Sequence, residues 1–480
     1  MKETFDHIKM GDKVIWMLVI LLMLISLVAV FSSNTRSAAS SGSHLGPFIV
    51  QFCFVVAGFA LMLGISAIPG LKHIRGASKF GFILSLFLLL FLNLRLDFGP
   101  NLRTIVDNGA CRSIKCMGFT IQVLEIVKVA MVLYMAWAVQ TYGSGKFKLN
   151  KFLSDRWPEA FGWTLTTKAQ RWIFIFGPLI ITTALTVPAS NSSAIICFFI
   201  MLVTILVGGI KMRDLIGPFL SIVILVFLAT GLHIVTNGHF ISRMETFFSR
   251  LKIEAPYPDP VARKAFADKI AIKKADPRTL KVGSKEYEAY LDGIYQSAAA
   301  ELAVVEGGRR IIGKGPGRST QKYVVPVMNE DYMFSLIVEE YGIFAGFALI
   351  MIYMSFFARC NIIVRNSTNR YARAAVAGMG ALITFQAFFH ILINCNVVGF
   401  TSGQTLPFVS YGRGALICYS IGVGVILCIS TLANKSIMKE QEEAARLLAQ
   451  QDDIQASLSV VESIDDMEDI KKEQDNESDN

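Results

Sequence analysis

The sequence predicts an all-α polytopic membrane protein with about ten spanning helices and a large extracytoplasmic loop between helices 7 and 8. Three observations carry this. Apolar residues make up 53% of the 480 and charged residues 17%, with 35 phenylalanines. The apolar residues gather into about ten separate runs, each near the ~20 residues that a spanning helix needs. Lys and Arg concentrate in alternate connections between those runs.

The runs lie near 14–32, 46–68, 80–96, 120–140, 172–188, 192–209, 214–236, 332–358, 373–397 and 413–433. The first follows Lys2, Lys9 and Lys13 and could be taken for a signal peptide. It is too long for a signal core and no small-x-small site closes it, so it reads as a retained helix. Basic residues cluster at Lys72, Arg75 and Lys79, from Lys146 to Arg171, at Lys211 and Arg213, and from Arg359 to Arg373. These connections share a side with the N-terminus, which makes both termini cytoplasmic.

The chain therefore divides into a cytoplasmic N-terminus (1–13), a membrane domain (14–433) containing the outward loop 237–330, and a cytoplasmic tail (434–480). The tail is acidic and polar, and reads as a short helix around Glu440–Gln451 followed by disorder. Within the loop, 250–290 is an exposed excursion rich in Lys, Ala, Asp and Pro. Ile294–Val305 is helix-like and precedes Gly307, Gly308, Gly313, Gly315 and Gly317. No strand precedes these glycines, so they are no dinucleotide fingerprint. The loop ends basic, with Arg309, Arg310, Lys314, Arg318 and Lys322, and the outward segment 95–115 carries Arg95, Arg103, Arg112 and Lys115. Either this charge has no specific role, as in many long loops, or it serves an anionic ligand such as a phosphate.

The cysteines mostly read as packing residues; Cys111 and Cys116 share an outward segment where a small disulfide is allowed. No metal-ligand cluster is visible among the scattered histidines and cysteines. Nothing in the pattern points to nucleic acid.

Four groups could carry chemistry. Asp331 stands where the charged loop meets an apolar run, and Glu339 and Glu340 follow about 12 Å further along the same expected helix. Buried carboxylates there are costly unless paired or functional. Gln122, Glu125 and Lys128 share roughly one helix face, as a structural ion pair or a polar path. Gln386, His390 and Asn394 recur every four residues and must face protein or a cavity. Gly399–Gly412 is a Gly/Pro/Ser/Thr-rich segment suited to lining a cavity.

These motifs resemble those of the SEDS family of peptidoglycan polymerases, which contains FtsW, RodA and SpoVE. Asn108-Gly109-Ala110 with Arg112, then Gln122, Glu125 and Lys128, is similar to one family pattern. Gly307-Gly308, Gly313-x-Gly315-x-Gly317-x-Ser319-x-Gln321-Lys322, Pro326, Asp331, Phe334, Glu339-Glu340 and Gly342 resemble a second. Gly403, Leu406-Pro407-Phe408-x-Ser410-Tyr411-Gly412 resembles a third, and the matches run in order along nearly the whole chain. There are departures: Val187-Pro188-Ala189-Ser190-Asn191 lacks the family's acid and glycine, Arg413 replaces a glycine, and Cys111 and Ser113 flank Arg112 in place of the usual residues. They resemble the divergent division-type, FtsW-like branch more than the elongation-type, RodA-like one.

The resemblance implies a glycosyltransferase in the bacterial cytoplasmic (inner) membrane that polymerises lipid II on the outer leaflet and releases undecaprenyl diphosphate. Asp331 would be the general base on the acceptor hydroxyl, giving inversion. Arg112, Gln122, Glu125, Lys128, Lys322, Glu339 and Ser410 would bind substrate, with Arg243 a further outward cation. A divalent cation, Mg2+ or Mn2+, could share the charge on the diphosphate, and no organic cofactor is implied. The implied partners are a class B penicillin-binding protein (FtsI-like), other division proteins and membrane lipids. Two competing readings remain open: a lipid II flippase using Glu125, Lys128 and Glu339 as a polar path, and a non-catalytic scaffold that activates a partner synthase.

Overall fold

A computed structural model describes residues 11–33, 45–99, 102–107, 110–116, 119–144, 167–236, 258–261, 263–264, 267, 285–325, 328–398 and 403–478. Most of the 250–290 excursion, Asn108, Gly109, Arg243, Pro326, Lys146, Lys148, Lys151 and Arg156 lie outside the described residues.

Ten apolar helices account for the ten runs. They are α1 (Lys13–Ser33), α2 (Leu45–Ser66), α3 (Leu71–Asn93), α4 (Val123–Gly143), α5 (Thr167–Thr186), α6 (Asn191–Val207), α7 (Ile216–Val235), α10 (Met333–Asn366), α11 (Arg370–Asn394) and α12 (Arg413–Ser478). Among the described residues nine of these are long and apolar enough to cross a membrane; α6 is the shorter one. Between α7 and α10 lie α8 (Lys285–Gly308) and the short α9 (Met328–Asp331).

α4 and α11 are buried along most of their length, and α4 packs on α3, α6 and α11. Cohesion here comes from close packing and interhelical hydrogen bonds rather than water exclusion. α5 shows how local chemistry is settled. Pro178 cannot donate to the helical ladder, and the preceding turn widens into a π-turn at Trp172–Phe176. The Phe174 carbonyl accepts from the Tyr134 hydroxyl at 3.0 Å, which satisfies the acceptor that Pro178 leaves free.

Two ties fix the span. At one face Asp12 caps α1 by accepting from Val14 N at 3.0 Å and Ile15 N at 3.1 Å, and pairs with Arg359 Nε at 2.7 Å. At the other, Ser32 near the end of α1 donates to the Glu340 carboxylate on α10. At ~1.5 Å per residue the two ties are about 30 Å apart along both helices, the thickness of a hydrocarbon core.

Three features depart from the sequence reading. A three-stranded antiparallel sheet lies between α3 and α4: β1 (Leu102–Asp107), β2 (Ala110–Cys116) and β3 (Phe119–Gln122). Cys111 and Cys116 sit five residues apart on β2, about 16 Å at strand rise, and both are free thiols. The tail, expected to be mostly disordered, continues α12 as helix to Ser478. No Gly or Pro occurs between residues 435 and 478, and Glu, Gln, Lys, Ala and Leu favour helix.

Candidate active site

Asp331 is the last residue of α9, a single turn that leaves its last carbonyls without helical partners. Three of them are met from outside. Tyr411 N donates to Asn329 O at 2.9 Å, Ser410 Oγ to Glu330 O at 2.7 Å, and Asn394 Nδ2 to Asp331 O at 3.1 Å. Tyr332 then breaks the helix, with φ −126° and ψ 30°, before α10 begins. The first amides of α10 are also met from α11: Phe334 N donates to His390 Nε2 at 3.3 Å and Ser335 N to Asn394 Oδ1 at 3.0 Å. His390 Nδ1 donates to Gln404 O at 2.7 Å, since a carbonyl can only accept. The Gln386–His390–Asn394 stripe therefore clamps the Asp331 turn to the 403–412 segment.

That segment carries Gly403, where the site closes. A methyl group placed on Gly403 would lie 3.0 Å from Asp331 Oδ2 and 3.3 Å from Arg112 Nη1. The carboxylate and the guanidinium thus face one small volume that exists because residue 403 has no side chain. Arg112 reaches it from β2, and its buried Nε has no protein partner. Burial and the neighbouring Glu330 carboxylate push the Asp331 carboxyl up to about 7, and the Arg112 charge opposes them. An acid held near neutrality can both take and hold a proton at working pH.

The other predicted site residues fall into three places. Gln122 ends β3 and caps α4, and its Cβ is the nearest neighbour a methyl on Gly414 would meet. It pairs across the sheet with Ser113, next to Arg112. Glu125 and Lys128 form a closed buried network: Lys128 Nζ donates to Glu125 Oε1 at 2.7 Å and Gln386 Oε1 at 2.6 Å, and Tyr419 Oη to Glu125 Oε2 at 2.5 Å. Every charge there is answered from a neighbouring helix, as a bilayer interior requires.

Glu339 and Lys322 are not where the sequence reading put them. The break at Tyr332 means that Glu339 does not share a continuous helix with Asp331. Glu339 accepts from Lys314 Nζ at 2.6 Å, from Thr320 N at 2.8 Å and from the Ser319 hydroxyl. Lys322 is buried rather than outward; it donates to Gly317 O at 2.6 Å and lies 3.7 Å from Glu340. Together they latch the glycine-rich loop onto α10 where Gly342 (φ 85°, ψ 178°) breaks it, a conformation essentially restricted to glycine. Ser410 is buried too, and its hydroxyl holds Glu330 and Leu406 rather than facing the open volume.

Three residues weigh more than the sequence reading gives them. Asn394 and His390, which their spacing places only against protein or a cavity, hold the Asp331 turn. Arg413, exposed at the start of α12 and 5.9 Å from the Tyr411 ring centroid, stands beside the Tyr411–Asn329 tie. In the departing segment, Ser190 caps α6 at 3.3 Å from Ser193 N, and Ser192 and Ser193 accept from Gln404 at 3.3 and 3.1 Å. Hydroxyls here anchor the cavity wall where the family pattern has an acid.

The helices and the site define a multi-pass membrane protein with a carboxyl held near neutrality and an arginine with an unpartnered Nε beside the 403–412 wall. The chain belongs to the FtsW, RodA and SpoVE family of cell cycle proteins, whose pattern it matches over residues 12–274 and 277–435. It is similar to a probable peptidoglycan glycosyltransferase FtsW of Geobacter sp. (strain M18), 24% identical over 427 residues, covering 88% of this chain and 96% of the relative. The corresponding protein of Coxiella burnetii is 24% identical over 423 residues, covering 86% and 95%. Among solved structures, a chain of a peptidoglycan synthase complex that coordinates polymerization and crosslinking superposes with a TM-score of 0.55 at 17% identity, covering 88% of this chain and 98% of that one. A variant of the Thermus thermophilus rod shape determining protein RodA gives a TM-score of 0.50 at 17% identity, covering 88% and 97%.

Proposed function

We propose that this protein is an inverting peptidoglycan glycosyltransferase that polymerises lipid II at the outer face of the bacterial cytoplasmic membrane, with both termini cytoplasmic. The observation that carries the reading is the shared volume at Gly403, with the Asp331 carboxylate on one side and Arg112 on the other. The acceptor hydroxyl oxygen attacks the donor sugar carbon as its proton passes to Asp331. The bond from that carbon to the diphosphate breaks, and the electron pair leaves with undecaprenyl diphosphate. Arg112 stabilises the growing negative charge, with its free Nε as a spare donor. Gln122 lines the approach, while Ser410, Glu339 and Lys322 act as positioning residues rather than ligands.

Among the described residues no three of His, Cys, Asp and Glu come together to hold a metal. Mg2+ or Mn2+ would have to bind mainly through the substrate's diphosphate, where it would offset the charge of the leaving group. The Glu125–Lys128 network is closed on all sides, which favours a structural role over a flippase path. The cell-cycle family and the FtsW names of the relatives support a place in division, and the similarity to a chain of a complex that coordinates polymerization and crosslinking supports a class B penicillin-binding partner that would cross-link the product.

The test is polymerisation of purified lipid II by the protein with such a partner, wild type against Asp331→Asn. Polymer from the wild type alone, with the variant folded, supports the reading. Equal polymer from both removes Asp331 as the base. No polymer from either, with an active partner, favours the scaffold.

A further inference from the structure

The glycine-rich loop carries a second feature at its tip, against the break in α10. α8 ends at Gly307-Gly308 and the chain turns around the break in α10. Arg310 N donates to Gly307 O at 3.0 Å, Ile343 N to Arg310 O at 3.2 Å, Lys314 N to Glu339 O at 2.9 Å and Gly315 N to Glu340 O at 2.8 Å. The tip of this turn is Arg309-Arg310-Ile311-Ile312. Ile311 is 75% exposed and Ile312 80%, although both belong to a tightly bonded loop. On the neighbouring turns of α10, Phe344 is 72% exposed and Phe347 61%. Arg309 and Arg310 are exposed as well, and neither makes an ion pair among the described residues.

The height of this tip is set by the Ser32–Glu340 tie, about 30 Å along α1 from the Asp12–Arg359 tie. Glu340 and Gly342 therefore mark the edge of the hydrocarbon layer on the Asp331 face, and the tip rests against Gly342 and Ile343. Two isoleucines at that level continue the lipid-facing surface of Phe344 and Phe347. Two arginines directly before them reach the level of lipid phosphates, and guanidinium matches phosphate in shape and charge.

We infer that Arg309–Ile312 is a membrane-surface contact, in which Ile311 and Ile312 enter the hydrocarbon edge and Arg309 and Arg310 bind phosphates of the surrounding phospholipids. The contact goes beyond the transferase reading and stands without it. It anchors the loop that Glu339 and Glu340 latch to α10, and so sets the height of the Asp331 turn above the bilayer.

The full chain is reconstituted in nanodiscs of phosphatidylethanolamine and phosphatidylglycerol, and the added emission of Ile312→Trp is taken by difference from wild type. Phe347→Trp serves as the lipid-facing reference. Acyl-brominated lipid should quench Ile312→Trp as it quenches Phe347→Trp, while aqueous iodide should not. Iodide quenching without bromolipid quenching overturns the insertion. The double variant Arg309→Gln/Arg310→Gln should show on the order of thirtyfold lower apparent affinity for phosphatidylglycerol by native mass spectrometry, two surface cations being lost. Unchanged retention overturns phosphate binding by phospholipid. Unchanged retention with a raised KM for lipid II would assign the pair to the substrate's diphosphate instead.

Discussion

Asp331→Asn should make the protein more stable while abolishing its activity. The folded protein holds this carboxyl near 7 against an ordinary 3.8, chiefly by burial and then by Glu330. A raised carboxyl pKa means that the folded state binds a proton which the unfolded chain has lost. Folding stability therefore falls as pH rises from about 4 to about 7 and is flat above. At 1.36 kcal/mol per unit, the charge costs up to about 4 kcal/mol at pH 8 and about 1.5 kcal/mol at pH 5. An asparagine of the same shape removes the charge and its cost. Thermal unfolding of the purified protein, followed at pH 8 and pH 5, should show Asp331→Asn melting higher than wild type by several degrees at pH 8 and by clearly less at pH 5. Wild-type polymerisation should fall as pH drops below about 7, as the base becomes protonated. A variant that melts lower at pH 8, or by an equal margin at both pH values, would refute the reasoning and place Asp331 in a solvated or fully ion-paired setting.

Three further outcomes are expected. Asn394→Ala removes a donor to Asp331 O and an acceptor for Ser335 N, and should cost about 1–3 kcal/mol in unfolding and lower kcat more than it raises KM. Gly403→Ala pushes a methyl between Asp331 and Arg112, and should cut polymerisation on the order of a hundredfold with the melting temperature nearly unchanged. Lys128→Met strands Glu125 and should cost roughly 3–5 kcal/mol in denaturation, whereas Glu125→Gln/Lys128→Met should recover much of it.

The spanning helices were legible because a bilayer makes composition decisive: a run of ~20 apolar residues has few other uses. Asp331, Arg112 and the 403–412 wall were legible as motifs, and Glu125–Lys128 as a pair from its i, i+3 spacing. The sheet was missed although Leu102–Asp107 and Ala110–Cys116 flank Asn108-Gly109, a strong hairpin signal. In a chain dominated by apolar helices, the search for apolar runs passes over short polar strands. The latch was misread because Lys322 and Glu339 are 17 positions apart, and only the Gly342 break brings their segments together. Periodicity cannot report a contact made by a chain reversal, and a lysine in a basic loop looks solvated until its carbonyl and carboxylate partners are seen.

The Asn394 amide uses its two ends for opposite tasks: the nitrogen gives to Asp331 O and His390 O, and the oxygen takes from Ser335 N and Ser335 Oγ. Hydrolysis of that amide to an aspartate, a familiar form of protein ageing, would leave almost the same outline. It would also set an anion against two carbonyl oxygens inside a sealed helix junction. A protein that aged at this one residue would keep its membrane bundle and lose the seat of its carboxylate.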